Sequence, residues 1–226
     1  MIEVVTCRNA PIYEDALRDM FRLRHRILVE RRGLNRLRKR DGRQTDRFDT
    51  PDAIYLLLTE EGGLVRGVAR FLPTTGPHVF ADAAPDLCEV KGVQRGPRIL
   101  ELSRALVDED GLGRAEMETA RKTLLVGLFE FCVRAGCEKF TTLMPTDLLF
   151  RHLVMGVDVK PLGLTVVREG TKQVAVAVTV GQNALDAMRL ALDVFEPLVH
   201  YVGAPTDDPL VLAPPRIPAR PLEAAE

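Results

Sequence analysis

The chain has 226 residues, enough for one α/β domain with a sizeable core, and its formal net charge at pH 7 is −1. No stretch approaches the roughly 18–20 apolar residues of a membrane span, and the N-terminus lacks a secretory signal pattern, so the sequence predicts a cytoplasmic protein. The four cysteines and four histidines lack the spacing of metal ligands, so no metal site is expected. Cys132 and Cys137 are expected to be buried free thiols.

The first half of the chain is predicted to contain three strands and one helix. A strand at 2–6 precedes a helix at 13–32, in which apolar residues recur at helical spacing. The charged segment 33–51 is predicted to be a long loop, and long loops in compact domains are often functional. Strands at 53–60 and 64–72 are predicted to form a hairpin around a Gly-Gly turn.

The second half of the chain adds further strands and three helices. These elements are an irregular segment at 74–97, strands at 99–107 and 139–144, helices at 114–135 and 146–155, late strands within 157–167 and 171–180, and a last helix at 184–201. The order predicts a single α/β (α+β) domain over residues 1–203, with a mixed sheet and helices on both faces. Residues 204–226 contain six prolines and are predicted to be a flexible tail.

The charge is unevenly distributed along the chain. Residues 18–47 contain twelve Arg or Lys against four Asp or Glu, a net +8, so the remainder carries −9. Most of these arginines are interpreted as a solvated helix face and loop. The alternative is a docking surface for an anion, such as a phosphate-bearing cofactor, an acidic carrier protein or nucleic acid.

Six charged residues stand where the surrounding pattern is apolar or where a loop approaches the sheet. They are Arg24, Asp46, Asp49, Arg70, Glu101 and Arg104. For any one of them alone, a structural salt bridge is the simpler interpretation. Their recurrence favours a site, because an unpaired charge among apolar neighbours is expensive. Glu101 and Arg104 are three apart on one strand, hence on opposite faces unless a bulge intervenes.

Four motifs carry a family resemblance. The segments MFRLRHRILVERRG (20–33), DGRQTDRFDTPDAIYLL (41–57), GVARFLPTTGPHVFAD (67–82) and ILELSRALV (99–107) occur in this order. Together they resemble the LuxI-type autoinducer synthases, the acyl-homoserine lactone synthases, over about residues 1–180. The resemblance implies an N-acetyltransferase-like fold, a mixed sheet whose central strand pair splays apart to admit an acyl-pantetheine chain.

The resemblance also implies a reaction. The amine of S-adenosylmethionine (SAM) attacks an acyl thioester, and the homoserine moiety closes to a lactone with release of methylthioadenosine. The acyl-homoserine lactone is a quorum-sensing signal. SAM and the acyl donor are substrates, and no cofactor is expected. An acyl-CoA donor is slightly favoured over acyl-carrier protein, because the DGRQTDRFD and KPLGL segments look like members that use branched or aryl acyl-CoA.

The family's functional positions fall on particular residues of this chain. Glu101 and Arg104 are the expected catalytic pair, with Glu101 as general base. The expected SAM-binding residues are Arg24, Leu28, Leu34, Asp46, Asp49 and Arg70. The expected acyl-binding residues are Ser103, Thr141, Thr142 and Met144. Leu28 and Leu34 stand where the family usually has an aromatic residue and a tryptophan, and this chain contains no tryptophan.

Two other functions stay open at this level. An N-acetyltransferase acting on another amine would use the glycines of DEDGLGRAEME (108–118) to hold a CoA pyrophosphate, and it would release no methylthioadenosine. A basic module that binds nucleic acid or a partner protein would show strongly salt-dependent binding. The near-neutral total charge and the carboxylates beside the arginines argue against the basic module.

Overall fold

The computed structural model describes residues 1–203, and the predicted tail of 204–226 lies outside them. Within this range the strands form one mixed sheet. They are β1 (Ile2–Val5), β2 (Ile54–Thr59), β3 (Val65–Pro73), β4 (Ile99–Val107), β5 (Lys139–Pro145), β6 (Val159–Pro161), β7 (Val166–Arg168), β8 (Thr171–Thr179) and β9 (Val199–His200). Their order across the sheet is β6-β8-β5-β4-β3-β2-β1-β9, and β7 pairs with β8.

The helices cover both faces of this sheet. They are α1 (Glu14–His25), α2 (Val79–Asp82), α3 (Arg114–Arg134), α4 (Thr146–Val154) and α5 (Gln182–Leu192). Buried residues of α3 and α5 share one core with the strands, and those of α1 form a second core on the opposite face. Among residues 1–203, no helix has the length and apolar content needed to cross a membrane.

Two predicted elements differ from the observed ones near the C-terminal end. The predicted helix 184–201 was confirmed only up to Leu192, where α5 ends and Asp193 takes a left-handed conformation. The chain then returns as β9, where Val199 pairs in parallel with Ile2 of β1. The predicted strand within 157–167 is divided into β6 and β7 around Gly163, where a Cβ atom would meet the Leu87 carbonyl oxygen at 2.0 Å.

The predicted helix 13–32 changes its winding halfway. The α-helix ends at His25 and continues as a π-helical segment, Arg26–Arg31, in which the Arg32 N–H donates to the Ile27 carbonyl at 3.0 Å. The Leu34 N–H likewise donates to the Leu28 carbonyl. The wider winding places Leu28 in the α1 core, with Leu34 packed against it. Such π-helical turns are rare and often lie beside functional sites.

The central strands β4 and β5 pair over only three residues. Ile99, Leu100 and Glu101 stand opposite Lys139, Phe140 and Thr141, and both strands run on without further pairing to each other. The sheet therefore opens between β4 and β5 beyond the Glu101–Thr141 pair. This is the splayed strand pair that the family resemblance implies.

A β-bulge in β4 reverses the faces of the strand's second half. Val68 and Arg70 of β3 pair with Leu106 and Ser103, so two β4 residues oppose the single residue Ala69. Arg104 lies in this bulge with φ 55°. Leu102 consequently packs in the α3 core, whereas Leu106 packs in the α1 core. The alternation that would place Glu101 and Arg104 on opposite faces therefore ends at this bulge, the exception that the sequence analysis allowed for.

Candidate active site

Three arginines and two aspartates meet on the α1 face of the sheet. Arg24 comes from α1, Arg70 from β3 and Arg104 from the β4 bulge, while Asp46 and Asp49 come from the long loop before β2. Arg24 and Arg70 are fully buried. Because strand alternation and the bulge aim the arginines at one loop, residues distant in sequence form a single charged cluster.

Asp49 is the most heavily bonded member of this cluster. Arg24 donates to both of its carboxylate oxygens, through Nη1 at 2.7 Å and Nη2 at 3.0 Å. Arg70 Nη1 and the Tyr55 hydroxyl donate to Oδ1 at 2.7 and 2.9 Å, and the Asp46 N–H donates to Oδ2 at 2.7 Å. Five donors fill the accepting capacity of one carboxylate, so Asp49 orients the arginines.

Asp46 connects all three arginines. Arg70 Nη1 donates to its Oδ1 at 2.6 Å, Arg104 Nη2 donates to its Oδ2 at 2.8 Å, and Arg24 Nη2 stands 3.5 Å from Oδ2. The Asp46 side chain is 17% exposed and that of Arg104 is 29% exposed. The Asp46–Arg104 side of the cluster is therefore the side that a ligand can reach.

The electrostatics of the cluster leave an excess of positive charge. Burial opposes ionisation of Asp46, but the hydrogen bond and charge of Arg70, with the charges of Arg104 and Arg24, lower its pKa to about 2. The pKa of Arg104 is lowered by burial and by the neighbouring arginines Arg24 and Arg70, although Asp46 opposes this. Three cations against two anions thus favour an added negative group near Arg104.

Two donors of the cluster are unsatisfied. Arg70 Nη2 and Arg104 Nε are buried and have no hydrogen-bond partner among the described residues. Buried polar atoms are nearly always bonded, and exceptions need an explanation such as a ligand. Arg70 Nε, in contrast, donates to the Ser103 hydroxyl at 3.0 Å. The structure thus places Ser103 beside the arginine cluster.

Glu101 lies next to the cluster at the point where β4 and β5 separate. Its side chain is buried, and its two oxygens accept the N–H groups of Val79 and Phe80 at 2.9 and 2.7 Å. Burial raises the pKa of Glu101, although these two backbone bonds and the charges of His78 and Arg70 oppose the rise. A carboxylate with a raised pKa and remaining lone pairs is suited to accept a proton.

The predicted acyl-binding residues of β5 divide between two faces. Thr141 stands opposite Glu101 and is buried, and its hydroxyl has no hydrogen-bond partner within residues 1–203. Thr142 and Met144 alternate to the other side of the strand, where Met144 is part of the α3 core. The three residues thus border the gap between β4 and β5 from both faces.

Three site residues were missed by the sequence analysis. Gln44 is buried and its Oε1 accepts a hydrogen bond from Arg24 Nε at 2.7 Å. Tyr55 bonds Asp49, and burial first, then the charge of Asp49, raises its pKa. His78 is fully buried and directly precedes Val79 and Phe80, whose N–H groups bind Glu101. Tyr55 stands opposite Arg70 in the β2–β3 pairing, so strand pairing was the signal for it, whereas Gln44 and His78 lie in loops without helical or strand periodicity.

The glycine turn before α3 lacks the free backbone N–H groups of a phosphate-binding loop at Gly113. Gly111 has φ 75°, and the Glu116 carboxylate accepts the Gly113 N–H at 2.8 Å. An acidic side chain therefore occupies the backbone donor that an anion would use. The geometry matches the simpler prediction of a strand-to-helix turn.

Comparison with known proteins agrees with this geometry. The autoinducer synthase family pattern matches residues 9–184. An isovaleryl-homoserine lactone synthase from Bradyrhizobium diazoefficiens is 36% identical over 188 residues, covering 83% of this chain and 84% of that protein. The solved structure of BjaI, a CoA-dependent acyl-homoserine lactone synthase with SAM and isopentyl-CoA, is 33% identical and covers 93% of this chain and 96% of its own, with a TM-score of 0.82.

A more distant structure supports the fold alone. The acyl-homoserine lactone synthase LasI is 23% identical and has a TM-score of 0.71, covering 83% of this chain and 94% of its own. The family match spans more than half of the chain and includes the arginine–aspartate cluster and Glu101. The chain therefore belongs to the autoinducer synthase family and is an acyl-homoserine lactone synthase.

Proposed function

We propose that this enzyme acylates the amine of SAM from an acyl-CoA and then releases methylthioadenosine as the lactone closes. The observation that carries the proposal is the position of the cationic cluster directly beside Glu101 at the opening between β4 and β5. The cluster supplies a place for a carboxylate-bearing amine, and the opening supplies a path for a thioester.

The SAM carboxylate is assigned to Arg104 and Arg70. Both have a buried guanidinium N–H without a partner among the described residues, and the cluster carries excess positive charge. Asp46 and Asp49 then hold Arg24, Arg70 and Arg104 in place. Asp49 has no accepting capacity left for the cationic groups of SAM. Leu28 and Leu34 contribute the apolar wall beside Arg24.

Glu101 is assigned as the general base. The attacking amine must lose a proton, and Glu101 is a buried carboxylate whose pKa is raised chiefly by burial. Its two backbone hydrogen bonds hold the carboxylate at the mouth of the β4–β5 gap. The Thr141 hydroxyl, which lies opposite Glu101, and the unpaired backbone N–H groups beyond it are placed to bind the thioester oxygen.

The acyl donor is assigned as a CoA thioester with a short branched chain. The similar proteins named above are an isovaleryl-homoserine lactone synthase and a CoA-dependent synthase with isopentyl-CoA. Thr142 and Met144 are expected to contact the acyl chain from the α3 side. We expect the enzyme to act in the cytoplasm, because its four cysteines are free thiols and its substrates are cytoplasmic metabolites.

The test offers SAM with a panel of acyl-CoAs and the matching acyl-carrier proteins, and follows both lactone mass and methylthioadenosine. We expect isovaleryl-CoA or a similar branched acyl-CoA to give the highest kcat/KM. Equal or better use of acyl-carrier proteins would contradict the donor assignment. Acyl transfer without methylthioadenosine release would instead indicate an N-acyltransferase acting on another amine.

A further inference from the structure

The proposed reaction leaves a proton inside a buried site. An ammonium that becomes an amide loses two protons, of which one ends on the thiol sulfur of the departing CoA. The other proton must leave Glu101, which is only 1% exposed. A base buried to this extent needs a neighbouring group that can take its proton between the acylation and the next turnover.

His78 is the titratable group placed for this task. It directly precedes Val79 and Phe80, whose N–H groups bind the Glu101 carboxylate, and the charge of His78 acts on Glu101. Imidazole is the side chain whose charge changes most readily near neutral pH. His78 is 0% exposed, so bulk water does not compete for its ring.

The hydrogen bonds of His78 leave one ring nitrogen available. Nδ1 lies 2.9 Å from the Gly76 carbonyl oxygen, which can only accept, so Nδ1 carries the proton in the neutral ring. Nε2 then presents a lone pair, and it has no hydrogen-bond partner within residues 1–203. A buried acceptor without a donor is uncommon in native proteins and indicates a transient partner.

A route to solvent begins at the same turn. Gly76 borders an open cavity of about 330 Å³, lined also by Thr50, Asp52, Leu72, Pro73, Thr75 and Pro77. Arg70 on β3 and Cys88 interact electrostatically with Glu101, as His78 does. The Asp82 carboxylate on α2 accepts the backbone N–H of His78 at 3.0 Å.

We propose that His78 is a proton-relay residue. Glu101 takes the amine proton, and Nε2 of His78, which lies beyond ion-pair distance of the Glu101 carboxylate, receives it through an intervening water. His78 then loses a proton to solvent on the Gly76 side when products depart. This inference rests on the proposed function of Glu101. His78 does not touch the substrate in this scheme and acts only through Glu101, by accepting the proton that Glu101 has taken. No redox change is involved. Of the two protons that the ammonium loses, one ends on the CoA thiol and the other is released to solvent.

The test is a His78→Asn variant. The asparagine amide can take the place of Nδ1 and still donate to the Gly76 carbonyl, but it removes Nε2. We expect kcat to fall on the order of 10²-fold, the pH dependence of kcat to change, and added imidazole to restore turnover in proportion to its concentration. If the asparagine variant does not fold, His78→Gln, which places an amide near the Nε2 position, is measured in the same way.

His152→Asn is the matched control. His152 is also buried, and its Nδ1 lies 2.8 Å from the Leu148 carbonyl oxygen, but it packs on Phe129 away from Glu101. It should keep its pH profile and show no response to imidazole. An unchanged kcat and pH profile in His78→Asn, or a loss that imidazole does not restore, would overturn the relay. Near-normal turnover by Glu101→Gln would instead overturn the base assignment itself.

Discussion

Two buried glutamates of this enzyme share their burial and their paired backbone hydrogen bonds but differ in counter-charge. Glu101 on β4 and Glu130 on α3 are each 1% exposed, and each accepts two successive backbone N–H groups. Glu130 also accepts a hydrogen bond from Arg189 Nη2 at 2.8 Å, and Arg134 stands 3.5 Å away. Within residues 1–203, Glu101 has no ion-pair partner of this kind.

The missing counter-charge is the structural difference on which the proposed base role of Glu101 rests. Arg189 compensates the charge of Glu130, so this pair joins α3, α5 and β9 into one unit. Burial raises the pKa of Glu101 because its nearest cations lie farther away and the backbone bonds do not offset the burial fully. Burial alone therefore does not distinguish the two roles, whereas the placement of the neighbouring arginines does.

The largest expected effect is on catalysis at Glu101. Glu101→Gln should lower kcat on the order of 10²- to 10⁴-fold, because the amide cannot accept the amine proton. Stopped assays for methylthioadenosine measure the loss, and thermal melting checks the fold, since the amide also loses one backbone hydrogen bond. Turnover within a few-fold of the parent enzyme would remove Glu101 from the base role.

Glu130→Gln should show the reverse pattern. Removing the charge leaves Arg189 buried beside a neutral group, which should lower the free energy of unfolding by about 3 kcal/mol. Urea unfolding monitored by circular dichroism measures this change. The kcat of the folded variant should stay near that of the parent enzyme. A loss of kcat as large as that of Glu101→Gln would show that the two glutamates are not functionally distinct.

The pH dependence should separate activity from stability. Glu101 acts as a carboxylate and its pKa is raised above the ordinary 4.5, so kcat/KM should rise with pH through that higher value. Its contribution to stability has the opposite sign, being present below 4.5 and lost as the pH rises through the folded pKa.

Asp46 contributes stability above its ordinary pKa of 3.8, which is lost as the pH falls through about 2. On acidification, activity should therefore disappear before the protein unfolds. Methylthioadenosine release and circular dichroism, followed across the same pH series, compare the two. Simultaneous loss of activity and fold, or an acid limb that persists in Glu101→Gln, would contradict this order.

The smallest expected effect is at the apolar wall of the SAM side. Leu28→Phe and Leu34→Trp introduce aromatic side chains where the family usually has them. Each should lower the KM for SAM roughly fivefold, which corresponds to about 1 kcal/mol of binding free energy from added ring contacts. Steady-state kinetics with saturating acyl-CoA measure this, and Leu190→Phe, on an exposed position of α5, is the control. A raised KM would mean that the π-helical segment leaves no space for a ring.

Much of the site was predictable because local patterns carry it. Arg24 interrupts a helical apolar stripe, and Arg70 and Glu101 interrupt apolar strands, so each is conspicuous in the sequence alone. The structure brings Arg24, Asp46, Asp49, Arg70 and Arg104 into direct contact and places Glu101 beside them. Gln44 and His78 were missed, because a single polar residue in a loop carries no periodic signal.

The sequence by itself determined the order of the main strands and helices up to α5, the family and the identity of the charged residues, because hydrophobic periodicity and motif spacing are local properties of the chain. Only the tertiary structure decided which face Arg104 occupies, since the β4 bulge depends on pairing with β3. It also decided that Asp49 is saturated by arginines and that Glu130, unlike Glu101, faces Arg189. These outcomes depend on distances between residues far apart in sequence, and such distances determine which buried carboxylate faces a counter-charge and which does not.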